Sequence, residues 1–172
     1  LAAHAEVRGS VLDPLLDAEV NVLGTLRMLQ AAEQAGAHVF VLASTGGAIY
    51  GEQLTATANE AHPTEPDSPY GLSKRCAELY ADYFYRQRNL RCLSLRLANV
   101  YGPRQDPHGE AGVVAIFSHK MLHQETPTIH GDGGQTRDYV FVDDVAEAFL
   151  QALEEHVPSG ILNIGTGIET SV

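Results

Sequence analysis

A chain of 172 residues, 44% of them hydrophobic, carries enough apolar material for one ordinary domain core and shows no sign of several independent ones. Its 11 Lys and Arg against 22 Asp and Glu leave a formal charge of -11 without a local basic patch, a balance that repels nucleic acid and anionic membranes. No apolar run is long enough to cross a bilayer, no basic-then-apolar leader opens the chain, and Cys76 and Cys92 lack CxxC spacing, so a reducing, cytoplasmic setting is expected.

In chain order, Leu1-Ala2-Ala3-His4 reads as the end of a strand and has no initiator Met, so a chain cut from a longer one is expected. Val20, Leu23, Leu26, Leu29 and Ala32 then recur at helical spacing between Asp17 and Gly36, with Gly36 as the stop. His38 to Ser44 is almost wholly apolar and rich in β-branched residues, which suits a parallel strand covered on both faces. A Gly-rich loop follows, and the prolines between Leu54 and Pro69 predict an irregular surface connection. Ser68 as cap and Pro69 in the first turn start a long helix to about Asn89.

Leu90 to Leu97 is the next strand, and a loop leads into a helix from about Val113 to Gln124. The segment TPTIHGDGGQTRDYVFV predicts a strand, a Gly turn and a second strand, a hairpin rather than a phosphate loop. Asp143 and Asp144 precede an apolar helix, and Ile161 to Gly165 forms a last strand. Strands and helices alternate throughout, which predicts an α/β, doubly wound parallel sheet.

Tyr70 and Lys74 stand four apart near the start of a predicted helix, so both side chains leave one face and reach one bound molecule. A phenol titrates near pH ~10, and an ammonium beside it favours the phenolate, which makes Tyr70 a candidate acid/base. The same spacing also arises by chance on many helices. Upstream, Ser44-Thr45-Gly46-Gly47 lies at the carboxyl end of a predicted parallel strand, where open α/β sheets place their ligands. A plain Gly-rich turn with satisfied hydroxyls is the alternative there. His119 and His123 have i, i+4 metal-ligand spacing, but no HExxH glutamate, Cys or carboxylate cluster accompanies them, so no metal is expected.

The ordered motifs LAAH, NVLGTL, VLASTGGAIYGE, SPYGLSK, LRLANVYGPRQ, GDGGQTRDYVFVDDVAEA and LNIGTG make the chain resemble the NAD-dependent epimerase/dehydratase family of extended short-chain dehydrogenases, closest to its UDP-glucose 4-epimerases. The resemblance covers essentially the whole chain. It implies a Rossmann-like sheet, incomplete at the N-terminus and lacking most of a C-terminal substrate lobe, with residues 1–172 as the central part of one domain and the substrate region beginning over about 102–172. It also implies an NAD cofactor, a nucleotide-sugar substrate, a homodimer at full length and a fragment inactive by itself.

By position, the resemblance implies Thr45, Tyr70 and Lys74 as the catalytic triad, with Ser44 as the competing hydroxyl. For the cofactor it implies Leu1, Ala2, Ala3, Asn21, Ser44, Tyr70, Lys74 and Ala98. For the substrate it implies Thr45, Asn99, Val113, Thr128, His130 and Arg137. Asn21 satisfying a buried backbone group, and Arg137 pairing with Asp138, Asp143 or Asp144, are the structural alternatives. Within the family, 4,6-dehydratases carry Thr-Asp-Glu where this chain has Thr45-Gly46-Gly47, and decarboxylases also commonly place a Glu there; the missing carboxylates favour an epimerase. A non-catalytic nucleotide-sugar or NAD-binding regulatory protein on the same fold is the reading from another class.

Overall fold

The computed structural model describes residues 3–52, 57–108, 112–129 and 131–171. Helix α1 (Val7–Leu12) comes first and was not legible in the periodicity. Asp13 accepts from the Leu16 N–H at 3.0 Å and caps α2 (Pro14–Ala18), which runs without a break through a π-helical turn (Glu19–Leu23) into α3 (Gly24–Gln34). Gly36, with φ +66°, ends this helical run in the left-handed region.

Strand β1 (Val39–Thr45) is followed by α4 (Pro69–Arg88), capped as its sequence predicts by Ser68, whose Oγ accepts from the Gly71 N–H at 3.2 Å. Asn89 closes α4 at φ 54° and turns the chain into β2 (Arg91–Leu97). Short β3 (Asn99–Tyr101), α5 (Val113–Leu122), β4 (Thr136–Arg137), β5 (Tyr139–Phe141), α6 (Val142–Gln151), β6 (Gly160–Ile164) and β7 (Thr170–Ser171) complete the order.

The main sheet has strand order β1-β2-β6, all parallel, with Thr45, Leu97 and Ile164 in register at one edge. Strand alternation sends Cys92 toward α3 and α4, where it packs with Leu29, Ala81, Phe84 and Leu90. Leu93 and Leu95 point to the other face and meet Ala152, Phe149 and Val157 at the end of α6. Helices therefore cover both faces, and the fold is a Rossmann-like α/β sheet, as its element order predicts. Leu95 is 1% exposed, so Leu95→Ala is expected to lower unfolding free energy in urea by about 2–5 kcal/mol; a loss below about 1 kcal/mol would contradict this packing.

The predicted hairpin after α5 does not form. Residues 126–129 are irregular, Gly131 and Gly133 turn at φ +80° and +78°, and the following strands find distant partners instead. β4 pairs antiparallel with β7, and β5 pairs parallel with β3, a stretch that the sequence predicts as loop. Local turn chemistry favoured a hairpin; the ladder hydrogen bonds were satisfied by segments remote in sequence. Among the described residues no helix is long and apolar enough to cross a membrane.

Candidate active site at the carboxyl edge of the sheet

The parallel strands end together, and the chain leaves each of them through small residues. The Gly46 N–H donates to Leu97 O at 2.7 Å, the Ala98 N–H to Ile164 O at 2.8 Å, and the Asn99 N–H to Asp138 O at 2.9 Å, which extends the strand edge beyond the ladder. A cleft of about 620 Å³ opens there, bordered by Gly46, Gly47, Ala98, Asn99 and Arg137. Gly47 stands so close to Asn99 that a Cβ on it would lie 3.3 Å from Asn99 Oδ1.

Thr45 directly precedes Gly46 of the cleft wall, and Tyr70 and Lys74 of α4 meet the end of β1 there. Lys74 Nζ donates to Ala43 O at 3.0 Å while standing 5.7 Å from the Tyr70 ring centroid, and the Thr45 hydroxyl lies near enough to the Tyr70 phenol to favour its charged form. The first turn of α4 fits against the Gly-rich loop because position 71 is glycine; a Cβ there would collide with Ala48 O and lie 2.9 Å from Pro66 Cβ. Ser10 on α1 fixes the same turn by accepting from the Tyr70 N–H at 3.1 Å.

The proximity of Tyr70 and Lys74 matches the sequence expectation, but the ionisation balance does not. Burial pushes the Tyr70 phenol above its ordinary value; the Thr45 hydroxyl pulls it back, and the Asp17 carboxylate adds to the rise. Burial likewise lowers the Lys74 ammonium, against the attraction of Asp17. Desolvation disfavours both charged forms and outweighs the phenolate-favouring effect of a nearby ammonium.

Of the two hydroxyls that competed in sequence, Ser44 Oγ donates to Glu78 Oε1 at 2.6 Å on the helix side, whereas Thr45 reaches Tyr70. Asn21 is 3% exposed and its amide is spent on backbone: Oδ1 accepts from the His4 N–H at 2.9 Å and Nδ2 donates to His4 O at 2.8 Å. Nδ2 also lies 2.9 Å from Asp17 Oδ1, which faces His4 Nδ1 at 3.3 Å. Asn21 thus pins the segment that follows Ala3.

Arg137 makes no ion pair among the described residues. Its NH1 donates to Thr136 O at 2.7 Å, and the residue borders the cleft. Asp138 is engaged elsewhere, accepting from the Thr166 N–H at 3.0 Å, the Thr166 hydroxyl at 2.6 Å and the Gly167 N–H at 2.9 Å. Burial alone would raise its carboxyl, but these bonds hold it below the usual range. They also occupy the N–H groups of Thr166 and Gly167, so these two are turned to Asp138 rather than offered to a phosphate. Val113 opens α5 and Thr128 lies in the irregular stretch after it; neither borders the cleft. Leu1, Ala2 and His130 lie outside the described residues.

Sequence reasoning missed a buried polar group beneath the site. Glu78 and Arg96 are 2% and 1% exposed and form a two-pronged ion pair, Nε to Oε1 at 2.9 Å and NH2 to Oε2 at 2.7 Å. Arg96 NH1 donates to the Tyr50 hydroxyl at 2.8 Å, which donates to Asn163 Oδ1 at 2.6 Å. Two signals were available: Glu78 follows Lys74 by four on one helix face, and a charge inside a strand covered on both faces requires a buried partner.

The donors at this edge suit the ribose of a dinucleotide. The buried Lys74 ammonium has Ala43 O as its hydrogen-bond acceptor among the described residues, which leaves donors for ribose hydroxyls beside the Tyr70 phenol. Residues 1–165 match the profile of the NAD dependent epimerase/dehydratase family. The UDP-glucose 4-epimerase of Mycolicibacterium smegmatis is 49% identical over 171 residues, which are 99% of this chain and 55% of that protein. A UDP-glucose 4-epimerase structure from Thermotoga maritima with UDP-glucose superposes with TM-score 0.96 at 48% identity, covering 99% of this chain and 55% of its own. The Thermus thermophilus UDP-glucose 4-epimerase complex with NAD superposes at TM-score 0.90 and 49% identity, covering 99% and 56%. The chain thus spans about half the length of the curated relatives it matches.

Proposed function

The chain belongs to the NAD dependent epimerase/dehydratase family, and from that premise we propose that the full-length protein inverts a nucleotide sugar at C4, of the UDP-glucose/UDP-galactose type, through a 4-keto intermediate. The meeting of Thr45, Tyr70 and Lys74 at the end of β1, beside a cleft bordered by Asn99 and Arg137, carries this reading. Tyr70 takes the proton of the C4 hydroxyl and later returns it, and Thr45 shares the hydrogen bond at that oxygen. Lys74 supports the phenolate and holds ribose hydroxyls. NAD, when bound, supplies the acceptor and donor of the C4 hydride.

For the cofactor, Ala3, Ser44 and Ala98 contribute backbone, and Asn21 acts at one remove by fixing His4. Asn99 and the Arg137 guanidinium hold the diphosphate; a planar fork meets phosphate oxygens in pairs, and a fixed cation offsets the charge of an acidic protein. Residues from about 102 onward begin the substrate region, with Val113 and Thr128 toward the nucleotide base. Exposed Leu72, Leu79, Tyr80 and Tyr83 on α4, with Met28 on α3, suit a homodimer contact in the whole protein.

Crowding at Gly46 and Gly47 favours epimerisation over dehydration. A Cβ at Gly46 would lie 3.3 Å from Leu97 O, and one at Gly47 equally close to Asn99, so the Asp-Glu pair of the dehydratases would press on the cleft wall. Proton NMR of the full-length gene product with UDP-glucose and NAD tests the reading. UDP-galactose without net NADH is the expected outcome; a stable 4-keto-6-deoxy product, or no conversion, overturns it.

A further inference from the structure

Three successive turns of α4 each hold a different residue at the end of β1. Tyr70 meets the Thr45 hydroxyl, Lys74 meets Ala43 O at 3.0 Å, and Glu78 meets Ser44 Oγ at 2.6 Å. The first two residues are the proposed acid/base and its cation. The third is a carboxylate 2% exposed that does not border the cleft.

Glu78 is also the hub of the buried polar group. Its two oxygens take both prongs of Arg96 in the neighbouring strand, and Arg75 NH1 one turn back donates to Oε2 at 3.2 Å. From Arg96 the bonds continue through the Tyr50 hydroxyl to Asn163 at the end of β6, and Asn163 Nδ2 donates to Ala58 O at 2.9 Å while its N–H donates to Glu60 Oε1 at 2.8 Å. Arg96, Tyr50, Ala58 and Asn163 border the cleft. One carboxylate thereby ties α4 to β1 at the residue before Thr45, to β2, and through Tyr50 to the cleft wall. A buried ion pair adds little net stability over an apolar pair of similar volume, yet its bidentate geometry fixes relative position.

We propose that Glu78 is a positioning residue for the proposed reaction: through Ser44 and Arg96 it sets the register of α4 against β1 and β2, and so the meeting of Tyr70 with Thr45. The inference rests on the C4-epimerase reading, and wild-type full-length enzyme measured in parallel separates the two. Inactive wild type defeats that reading, whereas active wild type leaves positioning to be decided by the variants.

Two mild substitutions test it in the full-length enzyme. Ser44→Ala removes the bond to β1 and leaves the Glu78–Arg96 pair intact. Glu78→Asp keeps the charge but is one methylene too short to reach Ser44 and Arg96 together. For each, kcat is expected to fall about 10- to 100-fold, because small misplacements of reacting groups carry penalties of that order, with KM for the nucleotide sugar within about twofold. The limb of the pH profile that belongs to Tyr70 moves to higher pH, since the Thr45 hydroxyl is what lowers that phenol against burial and Asp17. Ser44→Thr, which restores a hydroxyl, returns the profile to that of wild type. Unchanged kcat in both variants overturns the proposal, as does a fall in kcat with an unmoved pH limb, which marks mere loosening of the fold. If Glu78→Asp fails a thermal-melt check, Ser44→Ala alone decides.

Discussion

Replacing Tyr70 with Phe in the full-length gene product is expected to cut kcat by about 10²- to 10⁴-fold while nucleotide-sugar affinity, read by titration calorimetry, stays within about twofold. The substitution removes one oxygen and keeps the ring beside Lys74. It thus deletes the group that exchanges a proton with the sugar and little else. Wild-type turnover in Tyr70→Phe would remove the phenol from the chemistry and overturn its assignment as the acid/base. The same pair of proteins reports the ionisation directly. Burial holds the phenol above an ordinary tyrosine, so the ultraviolet difference absorbance between cofactor-free wild type and Tyr70→Phe is expected to develop at higher pH than that of free tyrosine. The sign follows from a neutral acid whose charged form is desolvated: its phenolate fraction at any given pH is reduced. Development below the ordinary range would show that Lys74 dominates after all.

The largest expected effect on stability comes from Arg96→Leu, at about 3–5 kcal/mol in urea unfolding, because it strands the Glu78 carboxylate in the core without its main partner. The double variant Glu78→Leu/Arg96→Leu is expected to recover most of that loss, as buried pairs replaced by apolar residues commonly do. If the double variant is as unstable as the single, the pair itself stabilises the fold and the cost is not that of an orphaned charge. The double variant also separates folding from alignment. It is expected to be stable yet slow, since α4 then packs on the sheet without the bidentate contact that fixes its register.

At Gly46 and Gly47 this chain has no side chain where the resemblance gives the dehydratases Asp-Glu. Both border the cleft, and both are positions where a side chain would press on the strand end or on Asn99. A pair of glycines at this point leaves the cleft wall clear and supplies no acid or base for elimination of water.

How much was legible in the sequence follows the range of the interactions. β1, α4 and β2 were readable because their signals are local: an apolar β-branched run, Ser68 and Pro69 at a helix start, a left-handed Asn89 after its end. The Tyr70 and Lys74 pair was readable because helical periodicity alone puts the two on one face. The pairing of β3 with β5 and of β4 with β7 was not, because short strands carry little pattern and their partners are chosen by the ladder bonds available when the chain is folded. Nor did sequence predict that Ser44 would turn to Glu78 and Thr45 to Tyr70; both partners lie on α4, and only the way that helix crosses the end of β1 decides which hydroxyl meets which. The charge of Tyr70 was misjudged for a related reason. Spacing reveals that an ammonium is near, but the competing cost of desolvation depends on how completely the surrounding chain excludes water, which tertiary structure alone fixes.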